Sequence, residues 1–221
     1  MNLTTDQLPP WLLAAGWFGF GLMVIWQAWG APWALLKQNG LVPLFNLTIL
    51  LLAGLWWLNA GVYEGLHYHL ICLTTVVLIF GWRLALLAGA AALLLMTLLG
   101  FRDLPALGLN GLYSVALPVG LAHQLHRLIY HRMPRHFFVY LLVSAHFASM
   151  LVIAAVALAG SLTLWALGVH SWDRIYGEYL IFLPLLMLPE GFVNGSIMTM
   201  LSVLRPDWVR SFDDKDYIDG K

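Results

Sequence analysis

Residues 65–100 read GLHYHLICLTTVVLIFGWRLALLAGAAALLLMTLLG, and this stretch decides the fold. Its 36 residues hold one Lys, Arg, Asp or Glu side chain, Arg83. A bilayer span needs about 20 apolar residues, so the stretch is long enough for two crossings. Gly81-Trp82-Arg83 is the one place where it can turn, which predicts a tight helical hairpin in a membrane.

The rest of the chain agrees. Apolar residues make up 61% of the 221 and charged residues 10%, with mean hydropathy +0.81. Soluble proteins sit at roughly 45–50% and about 25%. Eleven basic and eleven acidic residues leave no global field, so nucleic acid is excluded as a partner and the lipid bilayer is the expected surroundings. The lone Cys72 reads as a small packed hydrophobe. The first apolar run begins near Trp11 without a basic segment before it, unlike a cleaved signal peptide.

Apolar runs at 11–29, 41–59, 65–81, 83–100, 109–129, 137–160 and 178–204 predict seven transmembrane helices. With the amino terminus outside and the carboxy terminus cytoplasmic, Lys37, Arg83, Arg127, Arg132, Arg135, Arg205, Arg210, Lys215 and Lys221 lie inside, and Arg102 and Arg174 outside. Nine of eleven on one side follows the positive-inside bias, and reversing the chain destroys it. The expected fold is an all-α integral membrane protein in a bacterial-type inner membrane. Residues 1–206 form the seven-helix domain and 207–221 a short polar cytoplasmic tail. Gly81, Ala85 and Gly89 form a small-residue stripe for close helix packing. Tryptophans at span ends, Trp56 and Trp82 among them, read as interfacial anchors.

An ionisable side chain in a span costs roughly 2.5–3.5 kcal/mol at the bilayer centre and marks a functional site by default. Towards the outside, Glu64, His67 and His69 gather at the entrance to the third span, with Asn110 at about the same depth. Two positions on a helix point roughly 200° apart, so His67 and His69 share a ligand only if the segment enters as a loop. Gly61 and Gly65 permit that. Imidazole and carboxylate donors suit Ni, Co, Zn or Fe rather than Mg or Ca. Towards the inside, His123 and His126 lie one turn apart on one face and His146 sits mid-span, a second set able to hold a metal ion or simply to meet lipid headgroups. Glu190 stands mid-span beside Pro184, Pro189 and Gly191, with Asn194 one turn on. A carboxylate there must be protonated, paired with a base such as His146 or His123, or bound to a cation.

The segments His69-Leu-Ile-Cys-Leu, Phe80-Gly-Trp-Arg-Leu-Ala and Leu104-Pro-Ala-Leu-Gly-Leu-Asn110-Gly-Leu-Tyr-Ser resemble the third to fifth spans of cobalt/nickel energy-coupling-factor transporter permeases. Pro189-Glu-Gly-Phe-Val-Asn-Gly through Leu204-Arg-Pro-Asp207 is similar to that family's last span. The resemblance implies seven helices, His69 as a metal-ligating histidine, Asn110 as a structural asparagine beside the site and Glu190 as the last-span glutamate. It also implies an ATPase and a coupling membrane subunit as partners. The family completes its site with the free amino terminus and a histidine directly after the initiator Met, where this chain has Asn2. Two outcomes stand: a divergent donor set with His67 or Glu64 as the substitute, or loss of metal uptake and gain of another role.

Three functional readings stand at this point. In the first, the chain is a membrane substrate-binding subunit that takes up a transition-metal ion, nickel or cobalt, through His67 and His69. In the second it is a membrane metalloenzyme with iron at His123, His126, His146 and Glu190, acting on a lipid-soluble substrate. In the third it is a non-catalytic partner protein whose buried polar residues specify packing.

Overall fold

The computed structural model describes residues 3–37, 40–63 and 65–218, so Glu64 lies outside the described residues. Helices α1 (Pro10–Gly30), α2 (Trp33–Lys37) and α3 (Leu41–Trp57) lead into a two-stranded antiparallel hairpin of β1 (Ala60–Tyr63) and β2 (Leu66–Tyr68). Next come α4 (Leu73–Phe80), α5 (Trp82–Leu98), α6 (Leu107–Gly111) and α7 (Leu117–Arg132). A π-helical turn, Leu112–Ala116, joins α6 to α7 in one rod. Helix α8 (Phe137–Val139) runs through a second π-helical stretch, Tyr140–Phe147, into α9 (Ala148–Ala166), and α10 (Trp172–Glu178), α11 (Leu183–Leu204) and α12 (Asp214–Tyr217) complete the fold.

Among the described residues, three helical stretches are long and apolar enough to cross a bilayer: Pro10–Gly30, Phe137–Ala166 and Trp172–Leu204. Helices α3 and α5 are also apolar but shorter, at 17 residues each. Phe18, Leu50, Leu151, Leu185 and Phe192 are exposed on these helices, a surface suited to lipid tails rather than water. The core is centred on α4, every residue of which is buried among α5, α7, α9 and α11.

The third apolar run departs from the helix predicted over 65–81. Only Leu73–Phe80 is helical, and the chain arrives there as β2 followed by an irregular stretch. Cross-strand pairs Ala60–Tyr68 and Gly61–His67 fix the hairpin, and Gly65 turns it at φ +84°. Glycine adopts that left-handed conformation without a Cβ clash. The α4–α5 hairpin forms as expected around Gly81, at φ +82°.

Of the predicted small-residue stripe, Gly89 touches Val115 and Leu73. The closest backbone approach lies elsewhere, between α1 and α6. A Cβ on Gly108 would stand 2.3 Å from the Trp17 nitrogen, and one on Gly16 2.6 Å from Leu109. The π turn has its own cause in Pro118, which lacks an N–H and would crowd a regular helix. Immediately before it, Leu117 donates to the Leu112 carbonyl five residues back. The tail is docked rather than loose: Arg210 and Ser211 donate their N–H groups to Ile79 and Leu78 carbonyls, and Phe212 and Tyr217 are buried.

Candidate metal-ion site

The site is built at the unwound entrance to α4. A helix start leaves N–H groups without intrahelical partners. Here they are met from α11. Glu190 accepts from the Ile71 and Cys72 nitrogens, each at 2.8 Å, and from Asn194 Nδ2 at 2.9 Å. Asn194 Oδ1 accepts from Thr75 N and Oγ1 at 2.9 and 2.8 Å. A carboxylate at the positive end of α4 is favourably placed. Cys72, at φ +54°, turns the chain so that both N–H groups face it.

The stretch thus anchored presents two imidazoles. His69 is 6% exposed, its ring tilted against Trp56 at 6.1 Å. Trp56 is itself held, its Nε1 donating to the Ile71 carbonyl at 3.2 Å and its own carbonyl accepting from buried Arg102 at 3.2 Å. Trp56 is therefore a wall of the site, not the interfacial anchor expected from its position at a span end. His67, on β2, meets Asn59 Oδ1 at 3.0 Å. Burial above all, with the Arg102 charge adding, pushes its pKa down to about 4, which keeps the ring neutral and its lone pair free. Tyr68 between them stacks on Tyr179, centroids 4.5 Å apart, and donates its hydroxyl to the Tyr179 carbonyl.

Asn110 supplies the remaining wall. Its Oδ1 accepts from Leu3 N at 2.9 Å and its Nδ2 donates to Leu3 O at 3.0 Å. The amide thereby pins the amino-terminal segment, and Thr5 adds a second tie to Asp103. His69 separates two voids of about 10 Å³ each. One lies against Trp56, Arg102, Asn110 and Ser114, the other against His67, Ile71 and Tyr179. Each has room for roughly one water-sized particle.

The other predicted ligands are dispersed. Among the described residues, no three His, Cys, Asp or Glu side chains converge to hold a metal ion. Glu190 and Asn194 are committed to the start of α4. His123 stacks on Trp82 at 5.6 Å, and His126 meets Tyr140 edge-on at 6.1 Å. His146 packs over Gly191 and Gly195 and lines a groove with Phe138, Leu142 and Phe192. The inner iron centre required by the metalloenzyme reading is therefore not assembled from these residues. Sequence reasoning missed Trp56, Arg102, Leu3, Tyr68 and Tyr179. An arginine apart from the basic clusters at 127–135 and 205–215 was the available signal for Arg102.

Two imidazoles beside small buried voids, inside a bundle of apolar helices, suit a membrane protein that handles a small cation. The sequence says which kind. Residues 2–208 match the family described as the cobalt uptake substrate-specific transmembrane region, and the chain belongs to that family. Two crystal structures share the fold. One is described as a transition metal transporter, with TM-score 0.78 and 18% identity over 92% of this chain and 93% of that one. The other is described as a truncated transition metal transporter, with TM-score 0.67 and 19% identity over 93% and 99%. No curated protein sequence matches the chain.

Proposed function

We propose that the chain captures a divalent ion of the cobalt and nickel class at His69 and His67, as the substrate-binding subunit of an energy-coupling-factor type transporter. The ion is cargo rather than a resident cofactor. The observation that carries this reading is His69, buried against Trp56 between two small voids, one of which His67 also lines. Neutral imidazole nitrogen binds late first-row divalent ions in preference to Mg or Ca, which favour oxygen. Asn110 tethers Leu3 beside the site.

Seven spans with the amino terminus outside put this site at the outer surface of the bacterial inner membrane and the basic end inside. There an ATPase and a coupling membrane subunit would drive release inward. The test is uptake of radioactive cobalt and nickel by cells carrying the transporter, with wild-type protein or His69→Ala at matched membrane abundance. Uptake lost only in the variant supports the reading, and undiminished uptake refutes it.

A further inference from the structure

A second cavity, of about 510 Å³, opens at the end of the bundle away from His69. The last turn of α1, the Gly81 turn, the second half of α7 and the docked tail enclose it. Trp82, Arg83, His123, His126, Arg210 and Ser211 line it, and no Asp or Glu does. Among the described residues neither Arg83 nor Arg210 forms an ion pair.

Both guanidiniums are held in place. Arg83 lies on Gly30, where a Cβ would fall 1.2 Å from its Nη1, and sits over the Trp26 and Trp82 rings at 5.6 and 5.3 Å. Arg210 lies against Gly81 and reaches the Phe80 carbonyl at 3.5 Å. Trp82 stacks on His123, so the aromatic wall and the cations form one packed unit. His126 Nδ1 is buried and has no hydrogen-bond partner among the described residues. Helix α5 starts at this turn with no side-chain cap, which adds its free N–H groups and positive dipole end. Every polar side chain lining the cavity is a cation or can donate, which calls for an anion with several acceptor oxygens. Arginine forks fit phosphate well.

The surroundings select the source of that phosphate. Leu22, Trp26 and Trp29 follow one another along one face of α1 and are 52%, 58% and 87% exposed. They form an apolar strip ending at the cavity rim, where Trp26 meets Arg83. A free phosphate makes no use of such a strip, whereas acyl chains do. Basic pockets between transmembrane helices are known sites for lipid headgroups. We propose that this cavity binds the phosphate of an anionic membrane phospholipid, gripped by Arg83 and Arg210, with its acyl chains along α1.

The full-length protein in detergent would be incubated with phosphatidylglycerol or with phosphatidylcholine of the same acyl chains and analysed by native mass spectrometry. The expected result is one retained phosphatidylglycerol and no retained phosphatidylcholine. Arg83→Gln combined with Arg210→Gln should weaken retention at least tenfold, and Arg210→Gln alone, a change at an exposed residue of the docked tail, at least threefold. Arg127→Gln, outside the cavity, should leave it unchanged. Unaltered metal binding by the double variant would establish that it is folded. Equal retention of the two lipids, or full retention by both the single and the double variant, would overturn the proposal. So would displacement of the lipid by millimolar inorganic phosphate, which would assign the cavity to the free ion.

Discussion

Replacing Glu190 by Ala separates a residue that holds α4 from one that holds metal. The substitution leaves two buried N–H groups, those of Ile71 and Cys72, without acceptors, and removes one of the two acceptors of Asn194 Nδ2. An orphaned buried donor costs about 1–3 kcal/mol, so the two together cost roughly 2–6 kcal/mol. At about 2–4 °C per kcal/mol for a chain of this length, Tm should fall by roughly 4–24 °C. Glu190→Gln keeps one acceptor oxygen but turns an NH2 towards a backbone N–H, so it should fall between wild type and Glu190→Ala. The assay is thermal unfolding of metal-free protein in one detergent, followed by helicity and by a core probe. Metal-free Glu190→Ala with wild-type Tm would refute the capping role and return Glu190 to the candidate ligands.

Further expectations follow from the same geometry. Gly108→Leu drives a side chain into the Trp17 backbone, 2.3 Å from where its Cβ must sit, and should separate α1 from α6; sharply increased proteolysis after α1 would be the readout, and normal resistance would contradict the close packing. Asn110→Ala removes both hydrogen bonds to Leu3 and should weaken cobalt affinity at least tenfold while releasing the amino-terminal segment to hydrogen exchange; protection equal to wild type would disprove the tether. In metal-free protein the His67 ring should titrate near 4, followed by NMR of the imidazole carbons, because the charged form is disfavoured by burial and lost as pH rises through that value; a midpoint at the ordinary value near 6.5 would contradict its burial.

Hydropathy made the helical membrane fold legible, since runs such as 137–160 are long enough to span a bilayer once length is compared with its thickness. It could not locate the start of α4. The residues of 65–72 are apolar enough to join a span, and only the pairing of Gly61 with His67 and a left-handed Gly65 makes them a hairpin. His69 and Asn110 were legible because polar groups in apolar runs are costly. The roles of Glu190 and Asn194 were not, because their partners are backbone N–H groups more than 100 residues away. Trp56 was misread for a related reason: position at a span end says nothing about whether the ring turns to lipid or inward. The inner histidines shared the right spacing on α7 but face Trp82 and Tyr140 rather than a common ion.

The central claim is that His69 holds the transported ion. The most direct measurement is elemental analysis and calorimetric titration of untagged, detergent-purified protein with cobalt and nickel, comparing wild type, His69→Ala and His146→Ala at equal helicity. The account predicts one ion per chain in wild type and His146→Ala and none in His69→Ala. Full metal content in His69→Ala, or loss confined to His146→Ala, would contradict it.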